Sequence, residues 1–325
     1  MKFLLIGGNR RHEDGPLLSF ALKLIDWGFD VNIVTEDLHL NMPTSDGRIF
    51  ADRLIEHNIS PIVLDEISVD SIRHLVDEQT WGLSINAIWI ISQEVIDLFG
   101  GRLFNYHNAR LPQESGAACY TWKILRNHRK ASLIIHDLTK EIDAGNIRMA
   151  FDFDIPLGTQ AEIYEQMRPL EDYFLGKWAR ECEEGGNFPV IVQDQAERCY
   201  FPTLDTMANG WIDWSWTGEE IASFIMAFDS PHLGASTMLG EKRLHLINAQ
   251  YSDEVDDFHP FHAGIIFRKT NGRIYIAARG SGGGVIIVDE PNHKVRLGSR
   301  FHTPATILDQ ARTIRPAHKH DGIKI

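Results

Sequence analysis

The first half of the chain alternates short apolar runs with helical patterns, and this alternation limits the fold more than any other feature. The apolar runs predict strands at Lys2–Ile6, Asp30–Val34, Pro61–Leu64, Leu83–Trp89, Arg102–His107 and Ser132–Leu138. Helices are predicted at Pro16–Trp27, Arg48–His57, Val69–Asp77, Gln93–Phe99 and Ala117–Asn127. Apolar strands separated by helices are typical of parallel sheets that are covered on both faces. We therefore predict an α/β, Rossmann-like domain with a mainly parallel sheet.

The second half has a different pattern, in which closely spaced short strands follow one amphipathic helix. Thr217 and Glu220 form a capping box that opens this helix. The strands are predicted at Arg243–Ala249, Gly264–Arg268, Arg273–Ala278, Val285–Val288 and Lys294–Leu297. Asn271-Gly272 lies between two of them and is a strong hairpin signal. We predict a smaller β-rich domain, an OB-like open barrel, and divide the chain into domains at 1–190 and 205–318.

Composition excludes several classes of protein. The 325 residues carry a formal net charge of −13, which argues against a protein whose main task is to bind nucleic acid phosphates. No run is long enough to span a membrane, and the apolar N-terminal run is too short for a signal peptide. Cys119, Cys182 and Cys199 form no disulfide framework, so we expect a cytoplasmic protein. HExxH and CxxC motifs are absent from the sequence, and we predict no metal site.

Asn105 and His107 are candidate functional side chains because they end a predicted strand. Strand side chains alternate between faces, so these two point to the same face. Ligands of such sheets bind beyond the carboxyl ends of the strands. The pair supplies an amide hydrogen-bond donor beside a titratable imidazole. An acid from a following loop, such as Asp143, would complete a site for proton transfer. A hydrogen-bonded core histidine is the commoner outcome for any single histidine, so the pair alone is weak support.

The residues that flank this pair resemble the folate-dependent formyltransferases. The sequence IWIIS at 88–92, GRLFNYH at 101–107 and Leu111-Pro112 resemble the core of that family, which carries Asn-x-His followed by a Leu-Pro loop. His136 and the sequence Asp143-Ala144-Gly145 resemble its second motif, in the right order and at about the family spacing. The C-terminal half more weakly resembles the open-barrel domain of methionyl-tRNA formyltransferases, which some sugar N-formyltransferases also have.

This resemblance implies roles for the candidate residues. N10-formyltetrahydrofolate would be the formyl donor and co-substrate, and an amine would be the acceptor. Asn105 and protonated His107 would stabilise the oxyanion, while Asp143 would keep His107 protonated and take the acceptor proton. Four apolar residues, which sheet packing explains almost equally well, are candidates to line the pterin pocket: Ile88, Trp89, Ile91 and Ile142. Arg110 departs from the family pattern and is a candidate to bind an acidic acceptor.

Charge guides the choice of acceptor. The acidic first domain favours a small-molecule amine, a nucleotide-linked amino sugar, because a tRNA-binding enzyme is expected to carry a positive field. Residues 268–300 contain seven basic and two acidic residues, and this stretch keeps methionyl-tRNA open as the alternative acceptor. A second alternative is a non-catalytic folate- or nucleotide-binding regulator, which the intact Asn105, His107 and Asp143 disfavour. We expect no membrane partner, and a homo-oligomer stays open.

Overall fold

The apolar runs of the first half form one seven-stranded sheet. The structure is a computed structural model, and it describes residues 1–9, 15–44, 46–117, 119–253, 258–279 and 284–313. The strands of the first part are β1 (Lys2–Gly7), β2 (Asp30–Thr35), β3 (Ile62–Val63), β4 (Thr80–Ile85), β5 (Leu103–His107), β6 (Ser115–Gly116), β7 (Lys130–Asp137) and β8 (Ile147–Asp154). The sheet order is β3-β2-β1-β4-β5-β7-β8, and its first five strands are parallel. β7 and β8 are antiparallel to their neighbours.

Helices cover both faces of this sheet. They are α1 (Pro16–Asp26), α2 (Asp37–Leu40), α3 (Phe50–Glu56), α4 (Val69–Ile72), α5 (Gln93–Leu98), α6 (Cys119–Leu125) and α7 (Gln160–Glu183). Alternate residues of β1 enter different cores, since Phe3 packs with Trp178 of α7 and Leu4 packs with Val95 of α5. This two-sided burial explains why the strand is apolar at consecutive positions.

Two predicted elements of the first part need correction, and one strand of the seven-stranded sheet was missed. The fourth strand ends at Ile85 rather than Trp89, because Asn86 takes a left-handed φ of 55° and turns the chain out of the sheet. The helix predicted at Val69–Asp77 is the short α4 followed by a 3-10 turn. The edge strand β8 was not predicted, because its residues 150–152 are exposed and it lacks a continuous apolar run.

The second part contains two antiparallel sheets around one helix. Its elements are β9 (Tyr200–Phe201), α8 (Thr206–Asn209), α9 (Gly218–Ala227), β10 (Ala235–Leu239), β11 (Lys242–Leu246), β12 (Gln250–Ser252), β13 (Ile266–Thr270), β14 (Arg273–Ala278), β15 (Gly284–Asp289), β16 (Phe301–His302) and α10 (Ala305–Ala311). The sheets have the orders β11-β10-β16 and β12-β15-β14-β13, and α9 packs into the core they share.

Local signals in the second part are confirmed with one exception. Thr217 and Glu220 cap α9 reciprocally. Asn271 and Gly272 have positive φ angles of 51° and 74°, as the predicted hairpin turn requires. The strand predicted at Lys294–Leu297 is wrong, because this segment is irregular although Val295 is buried.

The predicted fold class is confirmed: an α/β part with a mostly parallel sheet precedes a β-rich part. We propose 1–190 and 205–318 as domain limits, of which 314–318 lie outside the described residues. Between them, residues 191–204 form a mainly irregular connecting segment, whose strand β9 pairs with β6. Across the ranges that the structure describes, no helix combines the length and apolar character needed to cross a bilayer.

Candidate active site

Asn105 and His107 lie on one face at the carboxyl end of β5, as their spacing predicts. β7 is the antiparallel neighbour of β5, and it places His136 directly opposite Asn105. The His136 Nδ1 atom lies 2.8 Å from the carbonyl oxygen of Asp137 and donates to it, because a carbonyl can only accept. His136 Nε2 lies 3.0 Å from Asn105 Nδ2, so the ring fixes the orientation of the amide.

Asp143 reaches this cluster from the loop that follows β7. Its backbone adopts a left-handed φ of 54°, which a non-glycine residue rarely holds without support from its surroundings. Gly145 is needed in the same turn, because a Cβ atom there would clash with the carbonyl oxygen of Asp137. The Asp143 carboxylate accepts a hydrogen bond from the amide of Gly116 at 2.8 Å, and its other oxygen faces the two histidines.

His107 and Asp143 are a buried pair of opposite charge. His107 Nδ1 lies 3.6 Å from Asp143 Oδ1, and both side chains are less than a tenth exposed. Burial alone lowers the pKa of His107, but the Asp143 carboxylate, the Cys119 sulfur and the Glu114 carbonyl together raise it to about 9. His107 Nε2 donates to that carbonyl at 2.8 Å. The imidazole is therefore a cation near neutral pH.

The carboxyl group of Asp143 is held in its ionised form. Burial opposes its charge, yet the His107 and His136 rings and the Gly116 amide hold the pKa of Asp143 well below its usual range. The site thus combines a cationic donor, an amide donor and an anionic acceptor within one small volume. Such a set can stabilise a developing negative charge and move a proton beside it.

Two cavities meet at this cluster, and Asn105 and Asp143 line both. The larger has a volume of about 340 Å³, and its walls include His107, Cys119 and Tyr164. The smaller has a volume of about 60 Å³ and lies on the side of His136. The two cavities give the polar cluster access from two directions.

The apolar candidates divide between these cavities. Trp89, Ile91 and Ile142 line the smaller one, while Ile88 lines the larger one. Trp89 and Ile91 are also buried in the core that packs on β1, and the Trp89 indole donates to the carbonyl of Asp65 at 3.0 Å. Trp89 and Ile91 therefore serve the sheet core and the cavity wall together.

Arg110 is placed apart from the cluster. It is absent from the walls of both cavities that meet at Asn105. Its backbone amide donates to the Glu114 carboxylate at 2.9 Å, and its guanidinium faces His128 at 3.5 Å. Nothing in this geometry brings the Arg110 side chain to a ligand in either cavity.

The structure also adds residues that sequence reasoning did not select. His136 had a signal, because it stands in the second motif, but its contact with Asn105 depends on strand pairing. Cys119 lies with its sulfur 4.0 Å from His107 Nε2 and lines the larger cavity. Gln193 and Arg198 of the connecting segment bind the loop of Asp143. No short-range pattern links that segment to the loop.

Sequence profiles place this fold and site in a known class. The profile described as "Formyl transferase" matches residues 74–175, and "Formyl transferase, C-terminal domain" matches residues 206–297. The mostly parallel sheet, the polar cluster at its strand ends and the β-rich second part thus define a formyl-group transferase. The chain belongs to the formyltransferase family and is an enzyme of that family.

Solved structures share the fold over most of the chain. WlaRD, a sugar 3N-formyl transferase solved in the presence of dTDP and 5-N-formyl-THF, has a TM-score of 0.65 at 19% identity, over 91% of this chain and 99% of its own. An N-formyltransferase from Helicobacter canadensis, in complex with folinic acid and dTDP-3-aminofucose, has a TM-score of 0.66 at 18% identity, over 89% and 99%. HypX from Aquifex aeolicus, in complex with tetrahydrofolic acid, has a TM-score of 0.57 at 17% identity, over 97% of this chain and 48% of HypX.

Proposed function

We propose that this chain transfers a formyl group from N10-formyltetrahydrofolate to the primary amine of a nucleotide-linked amino sugar. The observation that carries the proposal is the position of Asn105 and Asp143 at the wall shared by two cavities, with His107 beside them in the wall of the larger one. A donor in one cavity and an acceptor in the other would meet at these three residues. The family supplies the class of reaction, and three folate-bound structures share the fold.

We assign the smaller cavity to the pterin end of the donor from the chemistry of its lining, and at about 60 Å³ this cavity must widen to admit the ring. Trp89, Ile91 and Ile142 give it apolar walls, and Asn105 and Asp143 stand at its inner end. Small-molecule sites of this kind combine apolar walls with a few polar groups that fix orientation. In this arrangement the formyl group would lie beside the polar cluster, and the rest of the co-substrate would extend toward solvent.

The three polar residues have separate tasks in the transfer. The acceptor amine attacks the formyl carbon, so a new C–N bond forms and negative charge develops on the formyl oxygen. The Asn105 amide and the Nδ1–H of the His107 imidazolium donate to that oxygen, because the Nε2–H of His107 is bound to the Glu114 carbonyl. Loss of one such donor typically costs about 3–4 kcal/mol of activation free energy. Asp143 accepts the proton that the amine releases, and that proton passes to N10 as the old C–N bond breaks.

The acceptor class is supported by charge and by the named ligands of related structures. WlaRD was solved with dTDP and the Helicobacter canadensis enzyme with dTDP-3-aminofucose. The basic stretch at 268–300 is partly neutralised within the fold, because Lys269 pairs with Glu290 at 2.5 Å and Arg273 lies 3.7 Å from Asp289. The basic excess of this stretch already counts both of these acids, so the net charge of −13 of the whole chain is what disfavours binding of tRNA phosphates.

Formyl transfer to a panel of acceptors tests the proposal. The purified chain is incubated with N10-formyltetrahydrofolate and either nucleotide-linked amino sugars or charged initiator tRNA. We expect formylation of at least one amino sugar and none of the tRNA, with His107→Gln as the matched inactive control. Formylation of tRNA alone would replace the proposed acceptor. Folate binding without transfer to any acceptor would favour a regulator.

A further inference from the structure

The connecting segment contacts both loops that build the polar cluster. Its strand β9 pairs in parallel with β6, so the amide of Ala117 donates to the carbonyl of Phe201 at 2.9 Å. β6 contains Gly116, whose amide binds the Asp143 carboxylate. At its other end, Ile191 exchanges two backbone hydrogen bonds with Ile147, at 2.9 and 3.0 Å. The segment therefore spans from one loop to the other.

Two side chains of this segment bind the backbone of the Asp143 turn. Gln193 is 7% exposed, and its amide nitrogen donates to the carbonyls of Asp143 at 2.9 Å and Gly145 at 2.6 Å. Carbonyl oxygens only accept, so the nitrogen of the amide must face them. The Arg198 guanidinium donates to the carbonyl of Ile142 at 2.6 Å. Three of the four backbone carbonyls in residues 142–145 thus accept hydrogen bonds from side chains outside the turn.

These contacts stabilise the left-handed backbone conformation of the turn. Asp143 has a left-handed backbone, and a turn of this kind persists only where surrounding contacts determine it. The segment also lies between the two sequence ranges that match the family profiles, 74–175 and 206–297. Its side chains are therefore additions to the site that neither profile match includes.

We propose that Gln193, assisted by Arg198, is a positioning residue that holds the Asp143 carboxylate against His107. Gln193 touches neither substrate in this scheme and acts through the backbone of the turn. The inference rests on the proposed function for its kinetic consequence, while its structural consequence stands without it. A displacement of about 1 Å at a reacting group can lower turnover by about a hundredfold.

Gln193→Met in the full chain tests the proposal. Methionine keeps the length and most of the volume of the side chain and removes both donors. We expect kcat to fall tenfold to a hundredfold with the KM of either substrate within about threefold of wild type. Gln195→Met is the matched control, because Gln195 lies two residues away and is exposed. The control is expected to keep both constants.

A second readout separates positioning from general loosening of the fold. Among the described residues, Asp143, Cys119 and His136 are the titratable groups placed against His107. In the Gln193 variant Asp143 moves away, so the NMR titration midpoint of the His107 ring falls by at least one pH unit. His107→Gln assigns the signal. An unchanged kcat together with an unchanged midpoint would overturn the proposal.

The proposal can also be tested if Gln193→Met does not fold or if the wild-type chain transfers no formyl group. If Gln193→Met does not fold, Arg198→Met, at a half-buried position, is expected to lower both kcat and the His107 midpoint in the same direction and by less. Wild-type values in that variant would count against the proposal. If the wild-type chain transfers no formyl group, the proposed function fails, and the His107 titration still decides whether Gln193 positions Asp143.

Discussion

Two buried ionic clusters lie on either side of the loop that follows β5, and they differ in what their charges face. In the open cluster, His107 and Asp143 are separated by 3.6 Å and line a cavity. In the closed cluster, Glu114 and Lys123 form a tight ion pair, and the Lys123 ammonium also donates to the carbonyl of Lys130 at 2.8 Å. Neither Glu114 nor Lys123 lines the cavities that meet at Asn105.

A buried charge therefore marks an active site only where a polar face is left for a ligand. The Glu114 carboxylate binds Lys123, His128 and the backbone amide of Arg110, so each of its two oxygens has a partner within the protein. Burial lowers the pKa of Lys123, and the ammonium in turn holds the pKa of Glu114 down against the effect of burial on that group. These charges balance each other, whereas those of the open cluster border the cavities that meet at Asn105.

Removing a charge from the open cluster is expected to have the largest effect on turnover. Asp143→Asn removes the proton acceptor and the anion that keeps His107 charged. We expect kcat to fall by about a thousandfold, within the range typical of acid–base groups. Single-turnover kinetics with saturating donor and acceptor would measure it. Turnover within tenfold of wild type would remove Asp143 from the proposed mechanism.

Removing a charge from the closed cluster is expected to affect stability first. Lys123→Met leaves the Glu114 carboxylate buried without its main partner, and loss of one member of a buried pair costs about 3–5 kcal/mol of unfolding free energy. Urea unfolding would measure this loss. The double variant Lys123→Met with Glu114→Gln is expected to recover part of it. If Lys123→Met lowers kcat of the folded protein as much as Asp143→Asn does, the contrast between the clusters is wrong.

The ion pair of His107 and Asp143 also predicts how turnover and stability depend on pH. The pKa of His107 is raised from 6.5 to about 9, so its stabilising charge is fully present below pH 6.5 and is lost as the pH rises through about 9. Asp143 has a lowered pKa and stays ionised throughout this range. We expect turnover and the urea midpoint to decline together near pH 9. In Asp143→Asn the decline in stability is expected at lower pH. A decline of both near pH 6.5 in the wild type would show that the pair is uncoupled.

The smallest expected effects concern the walls of the cavities. Ile142→Ala trims the smaller cavity, and we expect the KM for N10-formyltetrahydrofolate to rise about tenfold with little change in kcat. Ile88→Ala is the matched variant, because Ile88 lines the larger cavity, and it is expected to raise the acceptor KM instead. Steady-state kinetics with each substrate varied would separate the two. Equal effects on both substrates would mean that the cavities do not divide the ligands as proposed.

Sequence periodicity was sufficient for the parts of the site that depend on local geometry. Asn105 and His107 share a face because strand side chains repeat every two residues. The capping box of Thr217 and Glu220 and the Asn271-Gly272 turn were also correct, since each is decided within four residues. The interaction of Gln193 with Asp143 spans 50 residues and follows no period, so only the folded chain reveals it. Arg110 was selected for its charge and its departure from the family pattern, and its role stays a prediction, because the direction in which a loop side chain points has no signature in the sequence.

The shared wall of the two cavities has a consequence for the order of events. Asn105 and Asp143 border both spaces, so the proposed transfer passes directly from one bound molecule to the other. Neither product can form until both substrates are in place. Initial rates measured at several fixed concentrations of one substrate should therefore give intersecting reciprocal plots, and the parallel lines of a substituted-enzyme scheme should not occur.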